Sequence, residues 1–80
     1  MEDVTSREVL SQNLRREMDR RQITQIELAR RCGIAQPNVS MILAGKHSAT
    51  LDTIDKLAGA LEVTPAQLLL PLPEFAVTAI

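Results

Sequence analysis

Cys32 and His47 are the only obvious nucleophile and base that catalysis could draw on in this chain of 80 residues. Cys32 falls on the apolar stripe of a predicted helix, where a lone cysteine serves as a small hydrophobe, and His47 falls in a predicted loop. No metal-ligand cluster and no Gly-rich phosphate loop accompany them, so no enzyme, metal or cofactor is expected. The other chemistry on offer is recognition by hydrogen bonds and charge. Gln25, Gln36, Asn38, Ser40 and Lys46 gather in and around one short stretch. Residues 15–47 carry seven bases (Arg15, Arg16, Arg20, Arg21, Arg30, Arg31, Lys46) against Glu17, Asp19 and Glu27, while acids predominate on both flanks and bring the whole chain to −1. The local field, rather than that sum, governs attraction to phosphates, although arginine-rich helix faces can also be merely solvated.

The element that must position these groups runs from Gln25 to Ala44, read as two short helices and a tight turn. Leu28 and Cys32 lie four apart and Val39 and Ile42 three apart, so each pair shares one side of its own helix. Gly33 stands between the pairs, where a helix must stop in the left-handed conformation that glycine adopts without a Cβ penalty. A steep helix pair joined by a short Gly-containing turn is the unit that lays a helix in the DNA major groove.

The rest of the chain supports that unit. Thr5 and Glu8 predict a capping box for a helix over about 6–21, with Leu10, Leu14 and Met18 inward, Val9 and Glu17 beside them, and Arg20 and Arg21 at the negative end of its dipole. Ile23 packs inward, and Thr24 with Glu27 predicts a second capping box for a helix over about 25–32. A third helix spans about 36–43, with Pro37 in its first turn, where its missing N–H costs nothing, and Gly45 ending it. Thr50 caps a fourth helix whose stripe is Leu51, Ile54, Leu57, Ala58 and Leu61. Thr64-Pro65-Ala66-Gln67 opens a short fifth helix through Leu70, which Pro71 and Pro73 stop. The expected fold is all-α: a five-helix helix-turn-helix domain over residues 1–70 and an apolar tail over 71–80. The tail holds Leu72, Phe75, Val77 and Ile80, suited equally to packing on its own domain or covering a partner subunit.

A chain of this length buries only roughly 60–65% of its unfolded surface, so a partner subunit would help. One Cys rules out an internal disulfide and makes a reducing cytosol the default. The charged start MEDVTSRE is no signal peptide, and no apolar run approaches the roughly 18 residues of a membrane span, so a cytoplasmic, nucleoid-associated protein is expected. One Phe and no Tyr or Trp argue against single-strand binding by base stacking.

Thr24-Gln25, Leu28-Ala29, Gly33-Ile34, Gln36, Val39-Ser40 and Gly45-Lys46, followed by Leu51 to Leu61 and Val63-Thr64, together resemble the Cro and phage-repressor helix-turn-helix family, also called the xenobiotic-response-element family. The resemblance spans about residues 9–70. It implies a lambda-repressor-like domain that binds double-stranded DNA, usually as a homodimer on a two-half-site operator, and most often as a repressor. With it, Gln36, Pro37, Asn38, Ser40 and Met41 become candidate base contacts: the Gln36 amide can pair with adenine N6 and N7, and Pro37 and Met41 can touch a thymine methyl. Thr24, Gln25, Lys46 and His47 become candidate phosphate contacts, Gln25 with the free N–H groups of its helix start.

The chain departs from the family pattern in four places. Met18 and Leu43 replace an Arg–Glu pair together, which leaves neither charge stranded. Ala35 stands where a Ser or Thr cap is usual, losing on the order of 1 kcal/mol. Ala44 replaces a frequent Asn, and Glu62 a helix-ending Gly. A protein-interaction module, antitoxin or restriction-modification controller with weak DNA binding is the alternative. No separate sensor domain fits in this length, so a small-molecule effector is not expected.

Overall fold

The computed structural model describes residues 5–71. Within them the order is α1 (Ser6–Arg21), α2 (Gln25–Cys32), α3 (Gln36–Leu43), α4 (Leu51–Leu61) and α5 (Pro65–Leu69), with no strand among the described residues. The expected tail, apart from Pro71, lies outside them.

Four helices start on a threonine hydroxyl, and α3 alone among the described helices lacks one. The Thr5–Glu8 and Thr64–Gln67 capping boxes are complete, and Thr50 Oγ1 accepts the Thr53 N–H. The box expected at α2 is only half made. Thr24 Oγ1 accepts the Glu27 N–H at 3.1 Å, but the Glu27 carboxylate turns forward to Arg31 (2.9 Å) and Arg30 (3.2 Å) instead of back to the cap. Two cations one turn on outcompete a single backbone N–H for a carboxylate. Ala35 gives α3 no side-chain cap, as its methyl requires.

Helix ends share a second device. Ile23, Ile34, Lys46 and Val63 each donate an N–H to the carbonyl five residues back, Met18, Ala29, Met41 and Ala58 respectively. This is the Schellman closure, and the residue before each donor is left-handed: Gln22, Gly33, Gly45 and Glu62. Gly33 meets that requirement freely, whereas Gln22 (φ 56°) and Glu62 (φ 59°) carry a Cβ into a region that costs roughly 1–2 kcal/mol. Ile23 and Val63, the residues that follow them, recover part of it by packing against the core. Thus Glu62 ends α4 at the place a glycine would.

The core takes Leu10, Leu14 and Met18 from α1, Leu28, Ala29 and Cys32 from α2, Val39, Ile42 and Leu43 from α3, Ile54, Leu57, Ala58 and Leu61 from α4, and Leu68 from α5. α1 packs against both α3 and α5, and α2 against α3 and α4, so the helix pair is clasped from two sides. Met18 and Leu43 border one depression with Ile23, in keeping with the paired apolar replacement.

Three buried polar residues of α1 complete the clasp. Asn13 is fully buried, and its Nδ2 donates to Leu68 O and Leu70 O, both at 2.7 Å, tying α5 to α1. Ser11 Oγ donates to Leu43 O, the last carbonyl of α3. Glu17 is buried beneath Arg16 (3.6 Å), Arg20 (3.4 Å) and Arg21, so α1's terminal arginines bind a carboxylate of their own helix as well as suiting its dipole. Among the described residues no helix is long and apolar enough to cross a membrane.

Candidate nucleic-acid interface

α3 divides its residues cleanly. Val39, Ile42 and Leu43 are buried, while Gln36, Pro37, Asn38 and Met41 are exposed and Ser40 is half-buried. Met41, the largest apolar group in that set, is 46% exposed, which places it on the outer face rather than in the core. Ala44 continues the same exposed edge. The helix carries no charge of either sign, so its outer face offers one amide at each of Gln36 and Asn38 and two apolar contacts.

Position is imposed on α3 from α1. Leu43 O receives the Ser11 hydroxyl and also the Arg15 guanidinium, the latter at 2.6 Å. A cationic donor on the last carbonyl suits the negative end of the helix dipole. Arg15 precedes Met18 by about one turn, so α1 still sends an arginine to the end of α3, but to its backbone rather than to an acidic side chain.

The flanking candidates sit at two helix ends. Thr24 is exposed and caps α2 through its oxygen, leaving its hydroxyl proton free to donate. Gln25, half-buried at the first position of α2, lies where backbone N–H groups lack intrahelical partners. Its Oε1 accepts the Ser40 hydroxyl at 2.6 Å, which joins the start of α2 to the middle of α3. Lys46 and His47 are exposed just beyond α3. The Schellman closure fixes the Lys46 backbone, and among the described residues neither side chain pairs with a carboxylate.

The structure thus brings Gln25 and Ser40 into contact between α2 and α3, with Gln36, Pro37, Asn38 and Met41 exposed along α3 and Lys46 and His47 exposed just beyond its end. The basic field is partly spent internally: Arg16, Arg20 and Arg21 share Glu17, and Arg30 and Arg31 share Glu27. Arg15 and Ser11 were not among the expected site residues. The only hint in the sequence is that both fall on the α1 face next to Leu14 and Met18.

Cys32 does not join His47 in any catalytic arrangement. It is buried, its Sγ lies 3.6 Å from Lys56 O, and burial pushes its thiol pKa up, outweighing the nearby Lys56 charge. A thiol so placed is a neutral core group.

Five helices with an uncharged, outward α3 seated on an α2 whose start is open define a helix-turn-helix DNA-binding domain. The model of the Cro/C1-type helix-turn-helix DNA-binding domain matches residues 13–74, and the chain belongs to that family. A relative from Neisseria meningitidis serogroup B, described as a hypothetical transcription factor, is 40% identical over 68 residues, covering 85% of this chain and 64% of the relative. The chain therefore spans just under two thirds of that protein. The crystal structure of the hypothetical transcription factor NHTF from Neisseria matches with a TM-score of 0.83 and 36% identity, over 95% of this chain and 86% of that one. The restriction-modification controller protein C.AhdI from Aeromonas hydrophila matches with a TM-score of 0.72 and 30% identity, over 75% and 91%.

Proposed function

We propose that this chain binds duplex DNA sequence-specifically and acts as a transcriptional repressor by occupying an operator. The observation that carries this reading is the outer face of α3, which presents Gln36, Pro37, Asn38 and Met41 without charge while its inner face is locked into the core. Gln36 reads adenine through a bidentate amide pair, and Met41 and Pro37 contact thymine methyls, so A·T steps are favoured. Thr24, Gln25, Lys46 and His47 hold phosphates on either side and set the register of α3 in the groove.

The repressor works as a homodimer on two half-sites about 34 Å apart. Leu51, 76% exposed, and Leu69 and Leu70, the latter 59% exposed, are the apolar groups such an interface would cover. The apolar composition of 71–80, with Leu72, Phe75, Val77 and Ile80, makes that segment the candidate addition to such an interface. The likeness to a restriction-modification controller favours a controller of such a system as the second reading.

Selection of random duplexes against the purified protein at defined salt tests the reading. Enrichment of a two-half-site sequence is expected. Gln36→Ala should then cost about 1–3 kcal/mol and relax preference at one base pair. Lys46→Ala should weaken all sequences and lower the salt slope by about one. Failure of the protein to enrich any site would overturn DNA recognition in favour of a protein-interaction module. Solution mass before and after removal of 71–80 tests the tail, since an unchanged dimer removes its interface role.

A further inference from the structure

We infer that Ser40 positions Gln25 for the DNA backbone instead of reading a base. This rests on the DNA-binding reading above and deepens it at one residue. Ser40 lies at the inner border of α3's outer face, and its hydroxyl donates to Gln25 Oε1 at 2.6 Å. A serine hydroxyl has one proton. With that proton committed, Ser40 cannot donate to a base edge without releasing Gln25.

The bond also decides which end of the Gln25 amide faces outward. Oxygen and nitrogen occupy opposite arms of a planar group, so holding Oε1 against α3 turns the two Nε2 protons away from it. Gln25 is the first residue of α2, where the unpartnered N–H groups of the helix start already favour an anion. An outward Nε2 adds a donor to that set, whereas the reverse orientation would set a carbonyl oxygen against a phosphate. Fixing the side chain before DNA arrives also removes rotamer entropy that binding would otherwise have to overcome. Because the bond crosses from α2 to α3, the phosphate seat and the base-reading helix are held in one register.

A double-mutant cycle on the selected operator separates positioning from reading. Ser40→Ala and Gln25→Ala should each weaken binding roughly 3- to 10-fold, the worth of one neutral hydrogen bond, and the double variant should be no weaker than Gln25→Ala alone. The base preference of Ser40→Ala should match that of the parent at every position, and Ser40→Thr, which keeps the hydroxyl, should restore affinity. In the DNA-free protein, the Gln25 side-chain amide should be ordered by NMR relaxation and should loosen in Ser40→Ala while the Gln36 amide does not change. Losses that multiply, together with altered preference at one base pair, would overturn the proposal and return Ser40 to base reading. An unchanged Gln25 amide, or parental affinity in Ser40→Ala, would overturn it as well. If the unaltered protein selects no duplex, the DNA-binding reading itself fails, an outcome visible before any variant is made.

Discussion

Thr24, Glu27, Arg30 and Arg31 stabilise α2 from within its own sequence, through a hydroxyl cap and two ion pairs one turn long. α3 has the same eight residues of length but no side-chain cap, no charge and no ion pair. Its anchors belong to other helices: Ser11 and Arg15 on its last carbonyl, Gln25 on Ser40, and the core beneath Val39, Ile42 and Leu43. The difference shows how the outer face of α3 is kept available. Groups that would stabilise a short helix are the same groups that would compete with a base edge, and here they have been moved off it.

The contrast can be broken from α1. Replacing both Ser11 and Arg15 by alanine should cost on the order of 2 kcal/mol in chemical denaturation, because two donors leave one buried carbonyl. Hydrogen exchange should show the loss first in α3. By comparison, Glu27→Gln should cost less than about 0.5 kcal/mol per pair, as exposed helical ion pairs do. Equal effects of the two changes would show that α3 does not depend on its neighbours.

It can also be sharpened by exchanging caps. Ala35→Ser should stabilise the protein by about 0.5–1 kcal/mol, and Thr24→Ala should destabilise it by about 1 kcal/mol, both read as shifts in Tm. No gain from Ala35→Ser would mean that the first turn of α3 already has its donors satisfied.

The smallest effect is the response to acid. A hydrogen bond from Arg31, and then the charge of Arg30, hold the Glu27 carboxyl below its usual 4.5. The native protein therefore binds fewer protons there than the unfolded chain, so the stabilisation is present above that value and fades as pH falls through the lowered one. Glu8, held down by the Thr5 backbone N–H and then by its hydroxyl, behaves alike at α1. As pH falls below about 5, protection from amide exchange, taken relative to the intrinsic rate at each pH, should drop at the starts of α1 and α2. α3 has no titratable side chain, so its first turn should respond only through global stability.

Much of this was legible in the chain itself. Period and caps fix all five helices, because Thr5, Thr24, Thr50, Thr64, Gly33 and Gly45 act within a few residues of their own positions. Gln22 was not legible: glutamine carries no turn signal, and its left-handed conformation rests on the Ile23 N–H reaching Met18 O, on its own side chain reaching Asp19 O and on the packing of Ile23. Glu27 was misjudged because a capping box and an ion pair draw on the same carboxylate, and local spacing permits both. Ser11, Asn13 and Arg15 escaped for a different reason. Their partners are backbone carbonyls 28 to 57 residues away, and a carbonyl has no sequence signature. The candidate contact residues were legible as types and spacing, but the commitment of Ser40 to Gln25 required the angle between two helices.

Asn13 has a consequence beyond stability. By gripping the carbonyls of Leu68 and Leu70 from the middle of α1, it acts as a fairlead, fixing the line on which the end of α5 lies against α1. Asn13→Leu would cut that mooring and let the end of α5 swing away from α1.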